Sequence, residues 1–356
     1  MSALRIARAR QPRRVQPALL CRWDLDKTYL RTEFDTLRQL IRTARERGTE
    51  KVEVPGVAEV LKGLRAAAER RGRPHLVYFI SASPPQIGAA IREKLALDGV
   101  PYDGIVFKDQ LDRLRRGKLR QLREHVGFKL AELLRGRLAA PPGTLELLFG
   151  DDWESDPLTY SLYADTIEGR LAADRLEPLL RRVGVDQELL PEVLALAARA
   201  VGLDGRVARI FINLERRTPP ALFRLLGGRV VPTFNYFQTA AVLAAGEYLD
   251  PPDVAGVARA LVERAAYTPR RLENSLADVV RRGALHPAAA EHVARPLRVA
   301  GLLPAAPGGW VRRLFRRLGR RVAPITVANP EPIDYDGVLD RLRPARRATE
   351  REARPG

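Results

Sequence analysis

The sequence predicts an α/β fold, in which a doubly wound parallel sheet is followed by a helical C-terminal region. Two observations predict it: the first 217 residues alternate short apolar runs with helical patterns, and from residue 218 onward only helical patterns follow. The runs are apolar throughout, as expected for strands that helices cover on both faces. A chain of 356 residues is long enough for such a core with additional helices.

Five apolar runs are the predicted strands. They are Ala18 to Trp23, His75 to Ile80, Gly104 to Phe107, Thr144 to Phe149 and Ala208 to Leu214. Ligands of parallel sheets bind at the carboxyl ends of the strands, so the polar residues that follow these runs are the candidates for a functional site.

Helical patterns connect the predicted strands. They cover 34–48, Val57 to Arg70, a helix that Ser83 caps and that runs to about Leu97, Leu111 to Leu138, and Arg170 to Ala200 with a break near Gly184. Prolines 84 and 85 directly after Ser83 suit the first helical positions.

The same patterns predict the division of the chain. We expect a basic segment over 1–17, an α/β domain over 18–217 with a helical insertion at about 165–205, a helical region over 218–322, and an Arg- and Pro-rich tail over 323–356 that is partly disordered.

Net charge and composition narrow the class of protein. The formal net charge of +18 predicts attraction to anionic partners, either nucleic acid, an anionic membrane surface or phosphorylated substrates. No apolar stretch approaches the ~20 residues that cross a bilayer, and no signal-type segment opens the chain, so we expect a cytoplasmic protein. The single cysteine, Cys21, cannot form a disulfide within the chain.

An acidic pair, Asp24 and Asp26, follows the first predicted strand and is followed in turn by Thr28. Two carboxylates at a strand end suit phosphoryl transfer, in which one attacks phosphorus, the other handles the proton of the leaving group, and a divalent cation holds the site together.

A hydroxyl group and a lysine are the next candidates. Ser81 follows the second predicted strand and can bind a phosphate oxygen; Ser83 is the alternative, although it also suits the helix cap. Lys129 precedes the fourth strand and Lys108 follows the third, and either can offset charge on the phosphoryl group. Geometry decides between the two lysines.

A second acidic group follows the fourth predicted strand, with Asp151, Asp152 and Asp156 in the stretch GDDWESDP. Carboxylates crowded at one sheet edge repel one another unless a cation neutralises them. Hard oxygen ligands of this kind suit Mg²⁺.

The order of these motifs, DxDxT, a serine after an apolar strand, a lysine and GDDxxxD, resembles the haloacid dehalogenase (HAD) superfamily of phosphatases. Within it, the stretches ISASP, FKD and GDDWESDP are similar to the catalytic domain of actin-patch-type phosphatidate phosphatases, over about residues 18 to 217. Four positions depart from that pattern: Lys27, Pro85, the Asp152-Trp153 pair and Leu158. These positions flank the expected phosphate site, so they affect which substrate the site accepts.

The resemblance implies a role for each candidate. Asp24 is then the nucleophile that forms an aspartyl-phosphate, Asp26 is the acid and base, and Thr28 orients the loop. Mg²⁺ is held by Asp24, the backbone carbonyl of Asp26 and Asp151, with Asp156 or Asp152 in support.

The resemblance also implies a substrate class. Only about 26 residues separate Thr28 from Pro55, which leaves room for a minimal cap and predicts an open site. An open site suits phosphatidate or another membrane-associated phosphate. The alternatives are a phosphatase of phosphoproteins, nucleotides or nucleic-acid ends, and a non-catalytic anion-binding scaffold.

A basic amphipathic helix is predicted from Trp310 to Val322, with an apolar face opposite six arginines. Such a helix either docks on the protein's own core or lies on an anionic membrane surface, which would make the protein a peripheral membrane protein. Nucleic acid is not an expected partner, because aromatic residues make up only 6% of the chain and show no basic stripe between them. The sequence does not define the oligomeric state.

Overall fold

The computed structural model describes residues 16–30, 53–81, 85–108, 118–153, 155–319 and 332–341, with the backbone alone at 87 and 118–125. Several predicted features lie outside these ranges: the helix over 34–48, most of the segment between Thr28 and Pro55, Ser83, the last residues of the basic helix, and most of the two terminal segments.

Six parallel strands form one sheet in the order β3-β2-β1-β4-β5-β6. The strands are β1 (Leu19–Asp24), β2 (His75–Ser81), β3 (Gly104–Phe107), β4 (Thr144–Asp151), β5 (Gly205–Asn213) and β6 (Val230–Thr233). The predicted α/β class and parallel sheet are confirmed. All five predicted strands are present, with ends that differ by up to three residues.

Eleven α-helices lie within the described residues between 57 and 319. They are α1 (Val57–Arg70), α2 (Gly88–Leu97), α3 (Lys118–Ala139), α4 (Asp156–Ile167), α5 (Ala173–Val183), α6 (Leu190–Ala200), α7 (Tyr236–Ala245), α8 (Pro251–Ala265), α9 (Pro269–Arg281), α10 (Pro287–Val299) and α11 (Gly309–Gly319). Short 3₁₀ helices cover Pro85–Ile87 and Pro220–Leu226, and residues 335–341 are helical.

The helices cover both faces of the sheet, as the apolar strands predict. On one face, α1, α2 and the C-terminal helices α7 to α11 bury a core around Trp23, Phe149 and Phe211. On the other face, α3 to α6 bury a second core around Leu148 and Ile210. The C-terminal helices therefore contribute directly to the burial of the sheet.

One strand was not expected after residue 218, where the sequence predicts helices only. This expectation is wrong, because β6 pairs with β5 and joins the same sheet. Its four residues are few for a strand, and Pro232 lacks the N–H group that an inner strand needs. An edge strand tolerates both features.

The basic helix α11 packs on the protein. Val311 is buried, and Phe315 and Leu318 are partly buried against the same core that α9 and α10 form. Its apolar face is thus largely covered, whereas Trp310 stays 39% exposed. These contacts favour the docking alternative for this helix.

Among the described residues, no helix combines the length and the apolar character needed to span a membrane.

Candidate active site

Polar residues end four neighbouring strands at the carboxyl edge of the sheet. They are Ser81 on β2, Asp24 on β1, Asp151 on β4 and Asn213 on β5. Between β1 and β4 the strand order reverses direction, and such a switch point opens a crevice where α/β proteins bind ligands. Asp24 and Asp151 flank this crevice.

The buried carboxylates of Asp24, Asp151 and Asp156 lie close together at this crevice. We call these three residues and Lys129 the acidic cluster. One oxygen of each carboxylate lies within 4.8 Å of the others. Lys129 Nζ lies 2.7 Å from Asp24 Oδ1 and 2.6 Å from Asp156 Oδ1. All four side chains are almost completely buried.

The stretch from Gly150 to Asp156 is folded so that its two ends meet. A Cβ atom at Gly150 would lie 2.7 Å from Asp156 Cβ, so a side chain there would displace that aspartate. Asp156 begins α4, and its Oδ2 accepts a hydrogen bond from the backbone N–H of Asp151 at 3.4 Å. The glycine is therefore the reason that both aspartates reach the crevice.

The acidic cluster brings three carboxyl groups together with one amino group. The neighbouring Tyr160 senses these carboxyl groups. Burial raises its pKa well above the usual value, and the negative charges of Asp156, Asp24 and Asp151 raise it further. Like charges buried together need a compensating cation or the loss of a charge.

The loop after β1 carries the second carboxylate of the predicted pair. Asp26 is half-buried, and its Oδ2 accepts a hydrogen bond from Ser81 Oγ at 3.1 Å. Thr28 is buried and its hydroxyl donates to Asp24 Oδ2 at 3.4 Å. Lys27 between them adopts a left-handed conformation with φ of 61°, which lets the loop turn back.

Two residues that the sequence analysis did not select hold this loop. Tyr236, the first residue of α7, is buried and donates its hydroxyl to the backbone carbonyl of Thr28 at 2.7 Å. The amide of Asn213 lies 3.5 Å from the backbone carbonyl of Lys27. The rule that selected Asp24 missed Asn213, because the predicted strand extended to Leu214 whereas the observed strand ends at Asn213.

Asp152 differs from its neighbours. Its two carboxylate oxygens accept hydrogen bonds from the backbone N–H groups of Arg216 and Thr218, at 2.9 and 3.0 Å. It thereby fixes the loop after β5, and the structure does not bring its side chain into the acidic cluster. The sequence predicts that Asp152 supports a metal ion. In the structure its carboxylate instead anchors the loop after β5.

An exposed aromatic side chain lies beside this loop. Trp153 is 43% exposed, with Arg216 Cζ 4.7 Å and Lys27 Nζ 5.2 Å from its ring centroid. Such distances are those of cation–π contacts. Asp152 fixes the loop that carries Arg216, so residues at two of the positions that depart from the family pattern, Lys27 and the Asp152-Trp153 pair, lie together. We call the surface formed by Trp153, Lys27 and Arg216 the Trp153 rim.

The two candidate lysines lie in different places. Lys129 belongs to the acidic cluster, whereas Lys108 follows β3, two strands away from β1, and its backbone N–H bonds to the carbonyl of Ser81 at 3.1 Å. Neighbouring strands are ~4.8 Å apart. The geometry favours Lys129 as the lysine that acts with Asp24.

The acidic cluster fits a divalent metal ion. Its three carboxylates offer hard oxygen ligands from two strand ends and a helix start. The side chain of Asp26, which Ser81 holds, is not among the three carboxylates that converge.

An all-parallel sheet with this cluster at its switch point is the arrangement of a Rossmann-like α/β domain. More particularly, residues 23–173 match the family model of the catalytic domain of phosphatidate phosphatase APP1. The match confirms the resemblance that the motifs predict, and it supports phosphatase activity. It includes every residue of the acidic cluster and ends before β5. No curated protein and no solved structure matches the chain.

Proposed function

We propose that the protein is a Mg²⁺-dependent phosphomonoester hydrolase that acts through an aspartyl-phosphate on Asp24. The observation that carries the proposal is the contact of Lys129 with both Asp24 and Asp156, beside Asp151, at the switch point of the sheet. A catalytic lysine, a nucleophile and a metal site are thereby supported in one place.

The chemistry runs in two steps. First, an oxygen of Asp24 bonds to phosphorus while the bond from phosphorus to the ester oxygen breaks, and Asp26 gives its proton to that oxygen. Then water attacks the phosphorus of the aspartyl-phosphate, Asp26 takes a proton from the water, and the Asp24 carboxylate leaves. One ester and one water become an alcohol and inorganic phosphate, and both aspartates are restored.

The exposure of the two aspartates suits this division of roles. Asp24 is 1% exposed and held by Lys129 and Thr28, so its carboxylate is oriented before substrate arrives. Asp26 is only half-buried and can exchange protons with a substrate or with water. The hydroxyl of Ser81, which now donates to Asp26, is the group that would turn to a phosphate oxygen.

Mg²⁺ would be held by Asp24 and Asp151 with the backbone carbonyl of Asp26, and Asp156 would support it through its contact with Lys129. When bound, it supplies positive charge that lowers the repulsion between the nucleophile and the phosphoryl oxygens. Lys129 supplies part of the same charge and orients the Asp24 carboxylate.

The substrate we propose is phosphatidate or another phosphate at an anionic membrane surface, to which the protein binds peripherally. The family match names phosphatidate phosphatase. The Trp153 rim adds a second support, because an exposed tryptophan with two cations suits the boundary between lipid headgroups and acyl chains.

The test is release of phosphate from a panel of phosphatidate vesicles, an aryl phosphate, a phosphopeptide and a nucleotide, with Mg²⁺ or with EDTA. Asp24→Asn should lower the rate at least about 10⁴-fold. Asp174→Asn, which changes an exposed aspartate on α5, is the matched control and should leave the rate unchanged.

Two results would contradict the proposal: wild-type protein that releases phosphate from no member of the panel in a Mg²⁺-dependent way, or activity that survives Asp24→Asn. A clear preference for the phosphopeptide or the nucleotide would overturn the lipid substrate alone.

A further inference from the structure

A cavity of about 480 Å³ lies away from the acidic cluster. It is bordered by the first half of β5, the C-terminal end of α7 and the N-terminal end of α10, together with the residue before β6. Its volume is that of a site for a small molecule. Arg209 of β5 borders it, four residues before Asn213 at the carboxyl edge, which corresponds to about 13 Å along the strand.

The walls of this cavity are strongly basic. Four arginines line it, against the single carboxylate of Glu168; they are Arg170, Arg206, Arg209 and Arg229. Arg229 is 5% exposed and forms ion pairs with Glu168 at 2.9 Å and Asp165 at 3.6 Å. Its charge is therefore compensated within the fold.

Arg209 is not compensated in this way. Within the described part of the chain, no carboxylate lies at ion-pair distance from Arg209, and its Nη1 is buried without a hydrogen-bond partner. Burial lowers the pKa of Arg209; the ring hydroxyl of Tyr248 opposes this, and the charge of Arg229 lowers the pKa further. Arg209 is thus a partly buried cation without a counter-ion, and such a charge favours the binding of a group that pairs with it.

The neighbouring helix adds to the attraction for an anion. The 13-residue helix α10 begins beside the cavity, where its first turn carries a partial positive charge. Arg229 Nε is a second buried donor without a hydrogen-bond partner in the structure. Donors from two guanidinium groups match the several oxygens of one phosphate.

We propose that this cavity is a second anion site, which binds a phosphate group through Arg209 and Arg229, separately from the acidic cluster. The phosphate can be the free ion or the headgroup of a phosphorylated molecule, since both offer the same oxygens. The proposal does not depend on the phosphatase reaction.

Hydrogen exchange of the full chain, measured by mass spectrometry, tests it locally. Inorganic phosphate should slow exchange in peptides that cover 205–211 and 284–290 in a saturable way, and chloride at the same ionic strength should not. In Arg209→Gln the phosphate concentration that gives half protection should rise at least about tenfold. Arg199→Gln, which removes an exposed arginine on α6, is the matched control and should leave it unchanged.

A second measurement separates binding from a structural role of Arg209. Without phosphate, Arg209→Gln should melt at the same temperature as the wild type or higher, because it removes a partly buried charge that has no counter-ion. A lower melting temperature would overturn the proposal, as would phosphate protection that is absent or that survives the substitution. Failure of Arg209→Gln to fold would also count against the proposal. The exposed Arg206 provides a second variant, Arg206→Gln, which should weaken phosphate protection several-fold.

Glycerol 3-phosphate distinguishes the two sources of the phosphate. Tighter protection by glycerol 3-phosphate than by inorganic phosphate would assign the site to a headgroup, and equal or weaker protection would assign it to the free ion.

Discussion

The two ends of the central strands carry buried charge clusters of opposite composition. At the carboxyl edge, Lys129 lies among three aspartates. Toward the amino ends of β1 and β4, Glu146 lies between Arg22 and Arg137, at 2.7 and 3.3 Å, and accepts a hydrogen bond from Tyr163 at 2.8 Å. Each cluster is thus built around one residue of the minority charge.

The clusters differ in what surrounds them. Arg137 also donates to the backbone carbonyls of Thr144, Leu203 and Asp204, so backbone groups contribute to the cluster around Glu146, in which Arg22 Nη2 and Arg137 Nε have no hydrogen-bond partner among the described residues. The acidic cluster lies beside the half-buried Asp26, at an edge where a ligand can enter. The comparison indicates two roles for buried charge. The cluster around Glu146, which backbone carbonyls help to neutralise, stabilises the fold. The acidic cluster, which lies where a ligand can enter, is suited to catalysis.

The largest expected effect is a loss of stability when Glu146, which binds both Arg22 and Arg137, is replaced. Glu146→Gln leaves two buried guanidinium groups without their carboxylate and should lower the free energy of unfolding by about 3–5 kcal/mol. Denaturant unfolding measures this change. Phosphatase activity per folded molecule should stay at the wild-type level, and a selective loss of activity would contradict the separation of the two clusters.

Lys129→Met is the corresponding change in the acidic cluster. It removes the positive charge beside Asp24 and should lower phosphate release about 10²–10³-fold. Steady-state rates with an aryl phosphate measure the effect, and far-ultraviolet circular dichroism checks the fold. Lys108→Met is the matched control, and a greater loss there than at Lys129 would reverse the assignment of the lysine.

Acid should destabilise the fold through His75, at the start of β2. Burial lowers the pKa of this histidine from 6.5 to about 4. Between these values the unfolded chain binds a proton that the folded chain excludes. The free energy of unfolding should therefore fall by about 3 kcal/mol as the pH falls from 6.5 to 4, with no contribution from His75 above that window.

The measurement is a series of denaturant unfolding curves over that pH range, for the wild type and for His75→Gln. The variant should lose most of this slope. Identical slopes would show that His75 does not carry the effect.

The smallest expected effect concerns the two exposed tryptophans. Trp153→Ala should reduce turnover of phosphatidate vesicles several-fold, because it removes cation–π contacts worth about 1 kcal/mol and the aromatic group at the rim. Turnover of a soluble aryl phosphate should change little. Trp310→Ala on the docked helix α11 is the matched control, and vesicle turnover that depends on Trp310 instead would move the membrane contact to that helix.

Much of the fold follows from the sequence, because parallel strands covered on both faces are continuous apolar runs. β6 escaped this rule, since four residues with Pro232 do not form such a run. The strand ends also predicted that Asp24, Ser81 and Asp151 would share one edge.

Other features of the site depend on three-dimensional contacts that spacing does not encode. The sequence favours Lys129 over Lys108 without deciding between them, and only the packing of α3 brings Lys129 to Asp24. Asp151 and Asp152 are adjacent and identical in type, yet Asp152 turns to the loop after β5. Tyr236 reaches the Thr28 carbonyl from 208 residues away.

The central claim is that the three converging carboxylates of the acidic cluster hold a divalent cation, and a calorimetric titration of Mg²⁺ tests it most directly. The wild type should bind one Mg²⁺ per chain, and Asp151→Asn should weaken binding at least about tenfold. Asp152→Asn, which changes the adjacent carboxylate, should bind Mg²⁺ as the wild type does. The account would be contradicted by a wild-type protein without saturable Mg²⁺ binding, or by binding that Asp151→Asn leaves unchanged.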